Sequence, residues 1–134
     1  MRRPVVDYDL GMINALNETV DPNTIFSYAS YKDSRITKEM VAEFVSNYET
    51  SVIERKTGIG MVFIADAFDK TSEMATVYVA FFTLDSKRLI YCEKLTAAPS
   101  GFGIRNYWAG AIYRTIVKIR DERFHTWKYN AEEK

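Results

Sequence analysis

The sequence predicts an α+β domain, a small and mostly antiparallel sheet of three to four strands packed against two to three helices. Three observations carry that expectation. Thr76–Leu84 is apolar on both alternating sides, with Val77, Val79 and Phe81 on one and Tyr78, Ala80, Phe82 and Leu84 on the other. Lys38–Tyr48 places Met40, Val41, Phe44, Val45 and Tyr48 on one face at helical spacing. The elements run helix, strand, strand, strand, helix along the chain.

In chain order, Pro4–Tyr8 reads as a short edge strand through Val5 and Val6. Asp9 reads as the N-cap of a helix from Leu10 to about Asn17, whose Leu10, Ile13 and Leu16 form an apolar stripe. Asp21-Pro22 is a cap followed by proline at the first helical position, and predicts a short turn carrying Ile25 and Phe26. Thr37 caps the helix at Lys38, with Ile36 and Val41 at the positions of a hydrophobic staple. Glu49–Lys56 has no clear period. Gly58–Ala65 is a continuous apolar run, as a buried strand requires.

Thr76–Leu84, apolar on both sides, is expected to be central and covered on both faces. Asp85–Arg88 is a polar turn, and Leu89–Thr96 returns as its antiparallel partner. Pro99, Gly101 and Gly103 punctuate a loop from Ala97 to Gly103. The last helix is expected over about Ile104–Arg123. Trp108, Ile112, Ile116 and Ile119 would be buried, Ala109 and Ala111 would allow close approach, and Arg114, Lys118 and Arg120 would lie outside. The tail from Asn130 to Lys134 is expected to fray.

The chain has 134 residues and shows no repeat or linker, so one domain is expected. Eighteen bases balance eighteen acids, so no global basic field draws nucleic acid, and none is expected as a partner. The single cysteine, Cys92, excludes an intramolecular disulfide. The longest apolar run, Ile59–Ala65, is far short of the about 20 residues of a membrane span. Met1-Arg2-Arg3-Pro4 is basic but Asp7 and Asp9 follow, so the start is no signal peptide as written.

Motif by motif, little chemistry is expected. Gly101–Gly110 is a glycine-flanked loop opening a helix, where free N–H groups and the donors of Arg105 and Asn106 would suit an anion. The plainer reading is a strand-to-helix turn with Phe102 and Trp108 in the core. Asn106 stands where a dinucleotide fingerprint needs its third glycine, and no Gly-Lys-Ser/Thr is present. His125 is the only histidine, and a pairing with Cys92 lacks any local motif in support. Asp66, Asp69 and Glu73 read as solvated loop acids, since no EF-hand pattern surrounds them. Tyr28, Tyr31, Tyr107, Tyr113 and Tyr129 would suit a binding surface or, more plainly, core edges with wet hydroxyls.

Two stretches, Val77–Ile90 and Gly101–Gly110, resemble a family of small bacterial cell-envelope proteins that are usually preceded by an export signal. More distantly, strand, Asp, turn, strand, glycine loop and helix are similar to the sheet-and-helix domain of envelope lipoproteins, namely the curli-assembly lipoprotein and the activators of penicillin-binding proteins. The turn Ser86-Lys87-Arg88 lacks the Thr-Gly usual in that hairpin. The resemblance implies an accessory role and no assigned reaction. It also implies the periplasm or cell envelope if an export signal precedes the chain, and the cytoplasm otherwise.

The expected function is therefore a non-enzymatic domain that binds another protein or itself, through Gly101, Gly103, Arg105, Asn106 and Tyr107, with no cofactor and no metal. The alternatives are a module binding a small anion at the same loop and an enzyme using Asp66 and Asp69. A concave pocket lined by Gly103, Arg105 and Asn106 would favour the anion module.

Overall fold

A computed structural model describes residues 6–24, 30–33 and 36–132. Strands β1 (Ile59–Asp69), β2 (Met74–Thr83) and β3 (Leu89–Ala97) form one antiparallel meander in the spatial order β1-β2-β3. β2 is central, and every residue from Ala75 to Ala80 is buried. Its doubly apolar pattern therefore reports what it predicted: a helical layer lies on each face.

On one face lie α1 (Gly11–Asn17) and α2 (Lys38–Ser46). Val41 of α2 packs on Tyr78, Ala80 and Cys92, which share that face because Ala80 pairs with Cys92. Met12 of α1 and Val45 and Tyr48 from α2 and its exit join Ile53, Phe82 and Leu84 in an adjoining cluster. Tyr48 meets Phe82 edge-on at 5.6 Å between centroids. Removing one such aromatic from water contributes about 1.5–3 kcal/mol, so this cluster fixes α1 and α2 to the sheet. The Tyr78 hydroxyl donates to the Ile36 carbonyl at 2.7 Å and ties down the segment before α2.

The capping chemistry accounts for the helix starts. Thr37 Oγ1 accepts from the Met40 amide at 3.2 Å, as expected. Asp9 stands one place outside the cap of α1, since Leu10 is the cap residue. Its carboxylate still accepts from the Gly11 amide at 2.9 Å. Asp21 does the same for Asn23 at the Pro22–Thr24 turn. The stretch without a clear period holds a turn at Thr50–Val52, closed by Lys56 Nζ on the carbonyls of Thr50, Ser51 and Ile53. Val6 is exposed and belongs to no strand, while Val5, Ile25 and Phe26 lie outside the described residues.

The opposite face carries α3 (Ile104–Lys118), a π-helical turn (Ile119–Arg123) and α4 (Phe124–Glu132), which follow one another without a break. α3 lies over β2 and β3. Its buried residues are Ala111 and Thr115, and the Thr115 hydroxyl is satisfied by the Ala111 carbonyl at 2.9 Å. The expected stripe is thus rotated: small residues sit where the helix is nearest the sheet, and Ile116 is 48% exposed. Lys118, expected outside, is half-buried and donates to the Thr96 carbonyl at 3.0 Å. Ala109 is exposed and plays no part in close approach.

Two boundaries also move. β1 runs past Ala65 to Asp69 through a bulge between Ala65 and Ala67 that holds Asp66. Helix continues to Glu132, beyond Arg123 and into the tail expected to fray from Asn130. No helix among the described residues is long and apolar enough to cross a membrane.

Candidate interaction surface

The junction of loop and helix at Gly101–Trp108 is built by backbone constraints. Gly101 and Gly103 have φ of 115° and 79°, values a side chain rarely tolerates. The Ser100 amide donates to the Tyr107 carbonyl at 3.1 Å, folding the loop back on the first turn of α3. Gly110 completes the fit, because a Cβ there would fall 2.2 Å from the Ser100 carbonyl oxygen. The chain is held tightly on either side of Phe102.

Around this turn the aromatic side chains interlock. Trp108 stacks on Phe68 of β1 at 4.9 Å with 22° between planes, and Tyr107 meets Trp108 edge-on at 5.0 Å. Lys70 Nζ sits 3.9 Å from the Tyr107 ring centroid, a cation–π contact, and the Tyr107 hydroxyl donates to Glu73 Oε1 at 3.1 Å. Together they leave an open hollow of about 390 Å³ lined by Lys70, Phe102, Ile104, Tyr107, Trp108 and the two glycines. Phe102 is 95% exposed and Ile104 84%.

Of the residues singled out from the sequence, Gly101, Gly103 and Tyr107 line this hollow, while Arg105 and Asn106 are exposed and lie outside its lining. A cradle of Gly103, Arg105 and Asn106 is therefore not what the loop forms. Phe102, read more plainly as a core residue, is at the surface. Trp108 is half-buried against Phe68, nearer to that plain reading.

The remaining candidates are kept apart. Cys92 is buried under α2, whereas His125 is exposed on α4 across the sheet, so the two cannot act as a pair. Burial pushes the Cys92 thiol above its ordinary value, away from the reactive thiolate. Asp66 is a strand residue whose Oδ2 accepts from the Thr76 hydroxyl at 2.8 Å, and Asp69 Oδ1 accepts from the Ser72 amide in the next turn. Among the described residues no group of three or more His, Cys, Asp and Glu is placed to hold a metal ion. Tyr113 and Tyr129 are exposed, and Tyr28 and the Tyr31 side chain lie outside the described residues.

One cluster escaped the reading of the sequence. Glu93 of β3 takes Arg123 in a bidentate pair, Nε on Oε2 at 3.0 Å and Nη2 on Oε1 at 2.6 Å, and accepts from Trp127 Nε1 at 2.7 Å. This contact holds the Arg123 guanidinium above its ordinary pKa. Trp127 also meets Phe81 and Tyr91 edge-on. The available signal was positional. Glu93 alternates with Tyr91 and Leu95 on a face that a helix must cover, and a carboxylate there needs a partner.

No family model matches the chain, and no curated protein and no solved structure matches it.

Proposed function

We propose that the chain is a non-enzymatic interaction domain that contacts a protein partner through the tip formed by Gly101–Trp108. On the resemblance carried by Val77–Ile90 and Gly101–Gly110, we place it as an accessory of the bacterial cell envelope. The observation that supports the contact is Phe102. An isolated exposed apolar residue needs no explanation. Here a phenylalanine 95% exposed adjoins an isoleucine 84% exposed, beside a hollow floored by Tyr107 and Trp108. The turn that brings them to the surface is set by two glycines at positive φ. Tyrosine and tryptophan are among the residue types on which binding energy concentrates. The anion module has less support, because Arg105 and Asn106 do not line the hollow.

A photoreactive phenylalanine placed at position 102 in producing cells tests this. The expected result is a discrete protein adduct, absent when the probe replaces Asp85 in the exposed hairpin turn and lost on adding Ile104→Ser. An equal smear from both positions, or no protein adduct at 102, would remove the tip as the contact.

A further inference from the structure

We infer that the two helical layers bind one another between copies of this chain, the basic outer face of α3–α4 of one copy seating on the acidic α1–α2 layer of the next. This deepens the reading of an interaction domain by naming a partner, but it uses a different surface from the Phe102 tip. The starting observation is the solvent side of the last helix. Ala109, Tyr113, Ile116, Arg120 and Phe124 are all exposed, Tyr113 at 65%, Ile116 at 48% and Phe124 at 54%. Their spacing of three and four residues puts them in one line, opposite the buried Ala111 and Thr115. The wider π turn keeps Phe124 in that line after Arg120. An apolar stripe thus runs along the side of the helix that has no sheet to cover.

Charge says what covers it. The net charge of zero hides a segregation: with Lys118 and Arg123 turned to the sheet, the exposed charges of α3–α4 are Arg105, Arg114, Arg120 and Lys128 against Asp121 and Glu122, while residues 6–56 hold nine Asp and Glu against five Lys and Arg. Arg105 and Arg120 are exposed along the apolar stripe, Arg120 in an ion pair with Asp121 at 2.6 Å. Glu18, Glu39 and Glu43 are exposed on the other layer, where Lys38 is the single base of α2. That layer also offers a receptor. A groove of about 340 Å³ between α1, α2 and β1 is lined by Ile13, Leu16, Phe44, Tyr48, Val62 and Ile64. Phe44, 37% exposed, stands beside Glu43.

Contact between like layers sets like charges against each other, which opposes a two-fold dimer. Contact between unlike layers pairs them and buries the stripe in the groove. The two layers lie on opposite faces of the sheet, so such a contact leaves a free layer at each end and continues into a chain of copies. One helix face against one groove is at the small end of stable interfaces, so the association is reversible and concentration-dependent.

Sedimentation velocity on the purified full chain tests this over a range of concentrations. Species larger than dimers are expected, with association weakened roughly tenfold between about 50 and about 500 mM sodium chloride. Glu18→Lys with Glu43→Lys leaves residues 6–56 with seven acids and seven bases and so removes the acidic layer, and Arg105→Glu with Arg120→Glu makes both layers acidic. Each double variant is expected to be monomeric with an unchanged circular dichroism spectrum. Mixing the two restores one unlike contact, the basic α3–α4 layer of the first on the acidic α1–α2 layer of the second, and should give a heterodimer. A chain monomeric throughout, a dimer that grows no further, or assembly indifferent to either double variant overturns the inference. Binding of the monomer to anionic lipid vesicles through Arg105 and Arg120, without assembly, overturns it too. Phe102→Ser is expected to leave assembly intact, so failure here and failure of the tip contact are read separately.

Discussion

Gly110 lies where α3 meets the loop before it, and its value is steric. Replacing glycine by alanine inside a helix ordinarily gains about 1 kcal/mol. Here the new methyl would meet the Ser100 carbonyl at 2.2 Å, with the Ser100 amide nitrogen 2.8 Å away. Both are backbone atoms, and Ser100 is held by its bond to Tyr107, so the contact cannot be relieved by turning a side chain. Gly110→Ala is therefore expected to destabilise the domain by roughly 1–3 kcal/mol, the range for overpacking. Denaturant unfolding of the variant checks it, and a more stable Gly110→Ala would show that the loop can move away. The sequence pointed at this stretch, correctly at Ala111 for the approach to the sheet and wrongly at Ala109. It marked Ala109 and Ala111, and the residue between them makes the close approach to the loop while Ala111 alone meets the sheet. Small residues in a row reveal a tight contact without revealing which of them faces it, because that depends on the rotation of the helix.

At the level of elements, the π turn sets the phase of everything after it. Ala111, Thr115 and Lys118 face the sheet, and an uninterrupted α-helix would next present Glu122 and Thr126. The structure presents Arg123 and Trp127, one residue later, because the π turn takes up one extra residue. Deleting Asp121, an exposed residue paired only with neighbouring Arg120, should restore a plain α-helix and keep both anchors on the sheet. Its melting temperature is expected to equal or exceed that of the parent. Deleting His125, which lies between the anchors, swings Trp127 off Phe81 and Tyr91, and should lower the melting temperature by roughly 5 °C or more with a red shift of tryptophan emission. Equal losses from the two deletions would mean that the π turn is not an inserted residue. The strands and α2 were legible because each announces itself by a local period and a cap. The π turn was not, since the helical pattern from Ile104 fits a plain helix until the contact made by Glu93, thirty residues earlier, selects the phase.

For the molecule as a whole, the layers were legible and their division of labour was not. Alternation on β2 required cover on both faces, but a summed charge of zero concealed an excess of acids in residues 6–56 and of bases in residues 104–132. The same division places two titrating groups, Tyr48 and Cys92, under the α1–α2 layer, and burial raises both above their ordinary values of 10.0 and 9.0. The folded state holds these protons while the unfolded chain releases them. Their contribution is thus fully present below pH 9.0, the lower ordinary value, and is lost as the pH rises through the raised folded values. Alkaline unfolding is expected to begin at this layer. Tyr48→Phe keeps the ring that meets Phe82 and removes the ionisable hydroxyl. The variant should melt close to the parent near neutral pH, then resist unfolding better as the pH passes the ordinary tyrosine value of 10.0. Melting temperatures of the two proteins across the alkaline range decide it: curves that separate only above that value place the sensitivity at Tyr48, and curves that stay parallel assign it elsewhere.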